Sequence, residues 1–185
     1  MKKMFLLFAA TVLFTTLQAQ TRIGARGGLT ISTINGQDIS DYKFKAGFYL
    51  GALAQIPVFG NFSVQPELNY SAQGAKWEDE GNTSLGYVQL PVLATYKTAS
   101  GFFAETGPQL GFLVKAKDSY DGDKQDIKEY LKKTEFAWVF GAGYQVTENI
   151  AVQARYQLAL SELYDNEKNS VFHIGVQYTL NQLIK

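Results

Sequence analysis

Apolar and polar residues alternate through eight stretches of the chain, at 21–30, 46–57, 61–72, 85–96, 102–114, 135–146, 150–160 and 171–181. Successive side chains of a strand point to opposite faces, so a period of two gives each stretch one greasy side and one polar side. In the seventh, Ile150, Val152, Ala154, Tyr156 and Leu158 alternate with Ala151, Gln153, Arg155 and Gln157. The third sets Phe62, Val64, Pro66, Leu68 and Tyr70 against Ser63, Gln65, Glu67 and Asn69. Each stretch has the roughly 9–11 residues that a tilted strand needs to cross a bilayer.

The connections alternate as well. Residues 58–60, 97–101 and 147–149 read as tight turns, while 31–45, 73–84, 115–134 and 161–170 are long and rich in Asp, Lys, Gly and Asn. Outer-membrane barrels have short periplasmic turns, longer external loops and an even strand count. The pattern therefore predicts an all-β fold, an eight-stranded antiparallel up-and-down transmembrane β-barrel, with both termini periplasmic. Within 125–133, Ile127, Tyr130 and Leu131 fall at helical spacing, which predicts a short amphipathic helix in the third long loop.

A soluble barrel would turn the greasy side inward and the polar side to water. A membrane barrel does the reverse. The polar side is built of Gln, Gly, Ser, Thr and Asn with almost no Lys, whereas a solvent-facing surface is about 25–35% charged. The polar side is therefore read as a crowded lumen. Aromatic residues agree with this. Tyr96, Phe102, Tyr144 and Tyr178 lie near the short turns, and Phe48, Tyr70, Phe112, Phe136, Trp138 and Phe172 near the long loops. Two aromatic bands around an apolar belt mark the two bilayer interfaces.

Composition adds the compartment. Lys2 and Lys3 precede an apolar run over 4–17, broken only by Thr11, Thr15 and Thr16, and Leu17-Gln18-Ala19 places a small residue, Ala19, at the expected cut. This predicts a secretory leader at 1–19, removed to leave one barrel domain at 20–185. With Lys2 and Lys3 gone, 15 of the 17 basic residues remain against 17 acidic ones. That balance supplies no basic face for a nucleic-acid partner. The chain has no cysteine, which excludes a disulfide framework, a thiolate metal site and a lipidated N-terminal cysteine.

Four charges fall on the inward side, Arg26, Glu67, Glu105 and Arg155. Isolated charges out of water cost several kcal/mol each, so the two signs are expected to pair. Gln65, Gln89, Gln109, Gln153, Gln157 and Gln177 would complete a polar core in a barrel barely wider than its own side chains. A plugged barrel is the expectation, and a narrow gated pore is the alternative. The sole histidine, His173, falls in the lumen near Ser161 and Ser170. It is read as a core residue rather than a catalytic base, and no enzyme activity is expected. Asp118, Asp121, Asp123 and Asp126 surround Gly122, but their spacing departs from the EF-hand loop and reads as a solvated acidic loop. Neither a metal nor a cofactor is expected. Gly27-Gly28 and Gly141-x-Gly143 are not nucleotide loops, because no strand–turn–helix unit surrounds them.

Several segments resemble the PorT-like outer-membrane β-barrel family. They are Gln65-Pro66-Glu67-Leu68-x-Tyr70, Tyr87-x-Gln89-Leu90-Pro91-Val92-Leu93 and Glu105-x-Gly107-Pro108-x-x-Gly111. Asp126-Ile127-Lys128 through Gly141-Ala142-Gly143-Tyr144 and Arg155-Tyr156-x-Leu158-x-Leu160 continue the likeness over nearly all of the mature chain. The resemblance implies an eight-stranded barrel in the outer membrane of a Gram-negative bacterium. The in-strand prolines Pro66, Pro91 and Pro108 match family positions, and because each removes a ladder hydrogen bond, β-bulges are the expected accommodation. A member of that family is tied to protein secretion, so an accessory role in an envelope or export complex stays open beside the structural one. His173-x-Gly175-x-x-Tyr178-x-Leu180 is similar to the signal read by barrel-insertion machinery. The expected partners are outer-membrane lipid, that machinery, and an envelope protein engaged through the external loops.

Overall fold

Each alternating stretch forms a strand. The computed structural model describes residues 21–35, 43–76, 81–120, 123–162 and 168–180; the expected leader lies outside them. The strands are β1 (Arg22–Asn35), β2 (Lys43–Phe59), β3 (Phe62–Lys76), β4 (Asn82–Lys97), β5 (Phe102–Tyr120), β6 (Asp123–Asp126), β7 (Thr134–Gln145), β8 (Ile150–Ala159) and β9 (Lys168–Thr179). All pairings are antiparallel. The order β4-β3-β2-β1-β9-β8-β7-β5, closed by β4 on β5, makes an eight-stranded barrel with no free edge in its wall. The first and last wall strands meet from Gly24↔Thr179 to Asn35↔Lys168. The short turns need little chain because glycine accepts positive φ there, at Gly60 (51°) and Gly101 (95°).

Burial is inverted relative to a soluble domain. Leu29, Leu50, Phe140 and Ile174 are each more than half exposed, while Gln65, Gln89 and Gln157 are no more than 2% exposed. An apolar outer face around a polar interior suits lipid outside. The two aromatic bands are present as neighbouring rings. At the short-turn end Phe62 meets Tyr96 and Phe102 meets Tyr144, each pair with centroids 4.8 Å apart. Toward the long loops Phe48 and Tyr70 lie 6.1 Å apart.

Most strands run further than the pattern predicts, chiefly at the long-loop end. β1 continues to Asn35 and β5 to Tyr120, where alternation had marked ends at 30 and 114. Pairing with an already placed neighbour extends a strand whose own residues carry no β pattern, so the wall projects beyond the apolar belt. The predicted helix over 125–133 is corrected. Asp123–Asp126 is a strand hydrogen-bonded to β5, and only Lys128–Tyr130 winds, as one 3-10 turn. Ile127 and Leu131 still share a side. They pack on a buried cluster of Ala75, Leu85, Tyr87, Leu113 and Ala116, which corks the long-loop mouth. A register shift between Gly86 and Tyr87 gives β5 one extra residue, and so Leu113 and Ala116 both turn inward.

The bulges expected at the in-strand prolines are also corrected. Pro66↔Val92 and Asn69↔Gln89 share one register, as do Pro91↔Gln109 and Ala94↔Thr106. A proline removes a single N–H, and the ladder passes over it without an inserted residue.

Candidate functional site: the barrel lumen

The lumen is layered along its axis, and the alternation of each wall strand sets which side chains enter it. At mid-height four strands each contribute one charge. Arg26 on β1, Glu67 on β3, Glu105 on β5 and Arg155 on β8 are all nearly fully buried. Arg155 lies at the centre. Its Nη1 and Nη2 donate to Glu67 Oε2 and Oε1, both at 2.8 Å. Nη2 also donates to Glu105 Oε2 at 2.8 Å, and Nε donates to Glu105 Oε1. Arg26 Nη1 donates to Glu67 Oε2 at 2.8 Å, and its guanidinium stacks over the Tyr49 ring at 4.8 Å.

Glu67 is the most heavily bonded group. Gln65 Nε2 and Asn69 Nδ2 donate to it at 2.7 and 2.8 Å, alongside the two arginines. Two guanidinium and two carboxylate charges cancel, and multiple charge-assisted bonds offset the several kcal/mol that each buried ion costs. Gly141 makes the arrangement possible. It sits between Glu105 and Arg155 in the ladder. A Cβ there would come 2.6 Å from Glu105 Oε1 and 2.8 Å from Arg155 Cγ.

Above this cluster, toward the long loops, lies an amide layer. Gln89 Nε2 donates to Gln157 Oε1 at 2.9 Å, and Gln157 Nε2 donates to Glu135 Oε1 at 2.6 Å. Asn169 Nδ2 bridges Gln73 Oε1 and Glu135 Oε2. His173 stands beside the arginine layer, with Nδ1 3.2 Å from Thr30 Oγ1 and its ring edge on Tyr49 at 4.9 Å. Ser170 lies one face away from His173 on β9, and Ser161 Oγ accepts from Phe136 N. The void between the layers is about 10 Å³, lined by Arg26, Tyr49, Gln89, Arg155 and His173 among others. That is about the space of one water molecule.

The structure thus joins Arg26, Glu67, Glu105 and Arg155 into one network and links Gln89 to a second. Gln109 and Gln153 are buried in the lumen, but Gln109 Nε2 and both amide atoms of Gln153 reach no partner, so the glutamines do not all satisfy one another. Glu135 is a lumen carboxylate that the sequence reading passed over. The signal was present, since Glu135 precedes Phe136 and Trp138 on the opposite phase of the alternation, but it stood where that stretch was drawn to begin. In the acidic loop, Asp118 Oδ1 accepts from Thr83 Oγ1 at 2.9 Å and Asp126 Oδ1 from Lys128 N at 3.0 Å. Asp121 and the Asp123 side chain fall outside what is described.

The short-turn end is wider. A cavity of about 550 Å³ opens there beneath the ionic layer, lined by Arg22, Gln55, Ser63, Thr95, Lys97 and Gln177 among others.

The family model described as outer membrane protein beta-barrel domain matches residues 18–165. Among solved structures, the chain is similar to Neisserial surface protein A of Neisseria, with a TM-score of 0.63 at 13% identity over 85% of this chain and 97% of that one. It is also similar to Ail, the attachment invasion locus protein of Yersinia pestis, with a TM-score of 0.53 at 17% identity over 87% and 99%. At these identities the likeness is one of fold. No curated protein matches the chain.

Proposed function

The chain belongs to the outer membrane protein beta-barrel domain family, and from that premise we propose that it is a closed, non-conducting and non-catalytic barrel of the outer membrane. Its work is structural or interactive and is done at the long-loop end. The observation that carries this reading is the four-charge cluster of Arg26, Glu67, Glu105 and Arg155, which spans the lumen and leaves about 10 Å³ beside it. The cork of Ile127 and Leu131 over Ala75, Leu85 and Tyr87 adds a second, apolar closure.

In this reading the short turns and both termini face the periplasm, the 1–19 leader is removed on export, and lipid covers the apolar outer wall. Barrel-insertion machinery places the chain in the membrane. His173 is a packed lumen residue, held by Thr30 and Tyr49. A second reading, an accessory part of an envelope or export complex as the PorT-like motifs imply, is favoured by the exposed Tyr120 and Tyr130. These stand on β5 and the 3-10 turn, where the wall projects past the apolar belt. Large exposed aromatics are good anchors for a protein partner.

Conductance tests the closed reading. The purified mature chain reconstituted in a planar bilayer is expected to leave the baseline current unchanged across the usual voltage range. Steady, voltage-independent steps from the wild-type protein would overturn the plug.

A further inference from the structure

The short-turn mouth carries charges that the plug does not use. On β1 the inward phase runs through Gly24, Arg26 and Thr30, and Arg22 falls on it. On β4 it runs through Leu93 and Thr95, and Lys97 falls on it. Both side chains therefore belong to the barrel axis and not to the lipid face, and both line the 550 Å³ cavity. They also line the adjoining 720 Å³ hollow between the turns at 98–101 and 146–149. The Arg22 charge is close enough to act on Lys97. Neither makes an ion pair among the described residues, and Glu148, which lines the same hollow, is exposed on its turn.

Two like charges held at one cavity wall repel each other, and an anion between them removes that cost. The wall beside them supplies a second observation. Thr95 Oγ1 and Gln177 Oε1 are buried, in residues no more than 3% exposed, and neither has a hydrogen-bond partner. Both residues line the same cavity. A buried acceptor without a donor is expensive to leave unmade, and Gln177 Oε1 can be satisfied only by an N–H or O–H. The cavity volume lies within the roughly 300–1,000 Å³ usual for small-molecule sites.

We infer that the short-turn mouth binds a small solute carrying a carboxylate or phosphate group next to a hydroxyl or N–H donor. The oxyanion lies between Arg22 and Lys97, and a rotamer change of Gln177 or Thr95 at the cavity wall brings its enclosed, unpartnered oxygen to the donor. The mid-lumen ion cluster closes the cavity above, so the site is a cup open on one side only and does not lead into a passage. Binding there is compatible with a silent bilayer recording, and the two readings fail independently.

The test uses the refolded mature chain in neutral maltoside detergent, titrated calorimetrically with inorganic phosphate and with glycerol 3-phosphate. Both are expected to saturate, with glycerol 3-phosphate the tighter. Arg22→Gln and Lys97→Gln should each weaken both by about tenfold or more, as loss of a charge-assisted bond does. Gln177→Leu should remove the preference for glycerol 3-phosphate while keeping phosphate binding. Lys133→Gln, at the opposite end, should change nothing. Absence of saturable binding by the folded wild-type chain, or equal affinities for wild type and both charge variants, would overturn the proposal. A lipid headgroup is the other source of the same chemistry. In nanodiscs, unchanged glycerol 3-phosphate affinity when phosphatidylglycerol replaces a zwitterionic lipid supports the solute, and competition by that lipid would overturn the solute assignment.

Discussion

An Arg155→Met barrel is expected to unfold in urea at a markedly lower midpoint than the wild type, with a loss of about 3–5 kcal/mol, the cost of removing one partner from a buried ion pair. Arg155 donates to both carboxylates of the cluster. Without it Glu67 keeps Arg26, Gln65 and Asn69, but Glu105 keeps no donor among the described residues. The damage therefore falls on Glu105. Glu105→Gln added to Arg155→Met removes the orphaned charge, and the double variant should recover a large part of the loss. The measurement is equilibrium unfolding of vesicle-bound protein followed by tryptophan emission. A single variant as stable as the wild type would mean that the cluster contributes nothing, and absence of recovery in the double variant would mean that the loss came from packing.

Gly28→Val should prevent closure of the barrel altogether. Gly28 lies opposite Gly175, where β1 meets β9 and the first wall strand joins the last. A Cβ at Gly28 would stand 2.1 Å from Ile174 O, 2.5 Å from Gly175 Cα and 2.9 Å from Ile174 C. All three are backbone atoms, so no rotamer change relieves the clash and the two strands must separate. Separation at that seam leaves two open edges in lipid, where each unpaired backbone group costs several kcal/mol. The expected result is loss of the compact, heat-modifiable band on gels run without boiling. Gly60→Ala is the control. Gly60 has φ +51° but nothing within 4 Å of its Cβ position, so this variant should cost about 1–2 kcal/mol and still close. Wild-type-like folding of Gly28→Val would contradict the register of the closing seam.

Much of this was legible in the chain, because the wall is periodic and the lumen inherits its phase. Arg26, Glu67, Glu105 and Arg155 are each far apart in sequence, yet the period of two places all four inside, and a narrow interior forces them to meet. Glu135 obeys the same rule, but it stands at the first position of its stretch, where no preceding alternation sets its phase. What the pattern does not carry is pairing imposed by a neighbour. Lys117, Asp118 and Ser119 have no β signature of their own, but they face Ser84, Thr83 and Asn82 on β4 and Asp126, Gln125 and Lys124 on β6. Tertiary hydrogen bonding overrides local preference there, and the same force replaces the expected helix at 125–133. Ile127 and Leu131 supplied the helical spacing, and they meet one cluster from either side of a 3-10 turn instead. Arg22 and Lys97 were hidden for another reason. Each stands at a strand end, where one residue of boundary error turns a luminal side chain into a turn residue.

The fold rests on the greasy side of the alternation facing lipid and the polar side being enclosed. The chain has no cysteine, so single cysteines along β8 can be labelled with small nitroxides in reconstituted bilayers. Collision with membrane-dissolved oxygen then reads each position directly. High oxygen accessibility is expected at Val152, Tyr156 and Leu158, and shielding from both oxygen and a water-soluble nickel complex at Ala151, Gln153 and Gln157. The opposite phase, with Gln153 and Gln157 open to the nickel complex and Val152 and Leu158 shielded, would be the signature of a soluble barrel and would contradict that orientation.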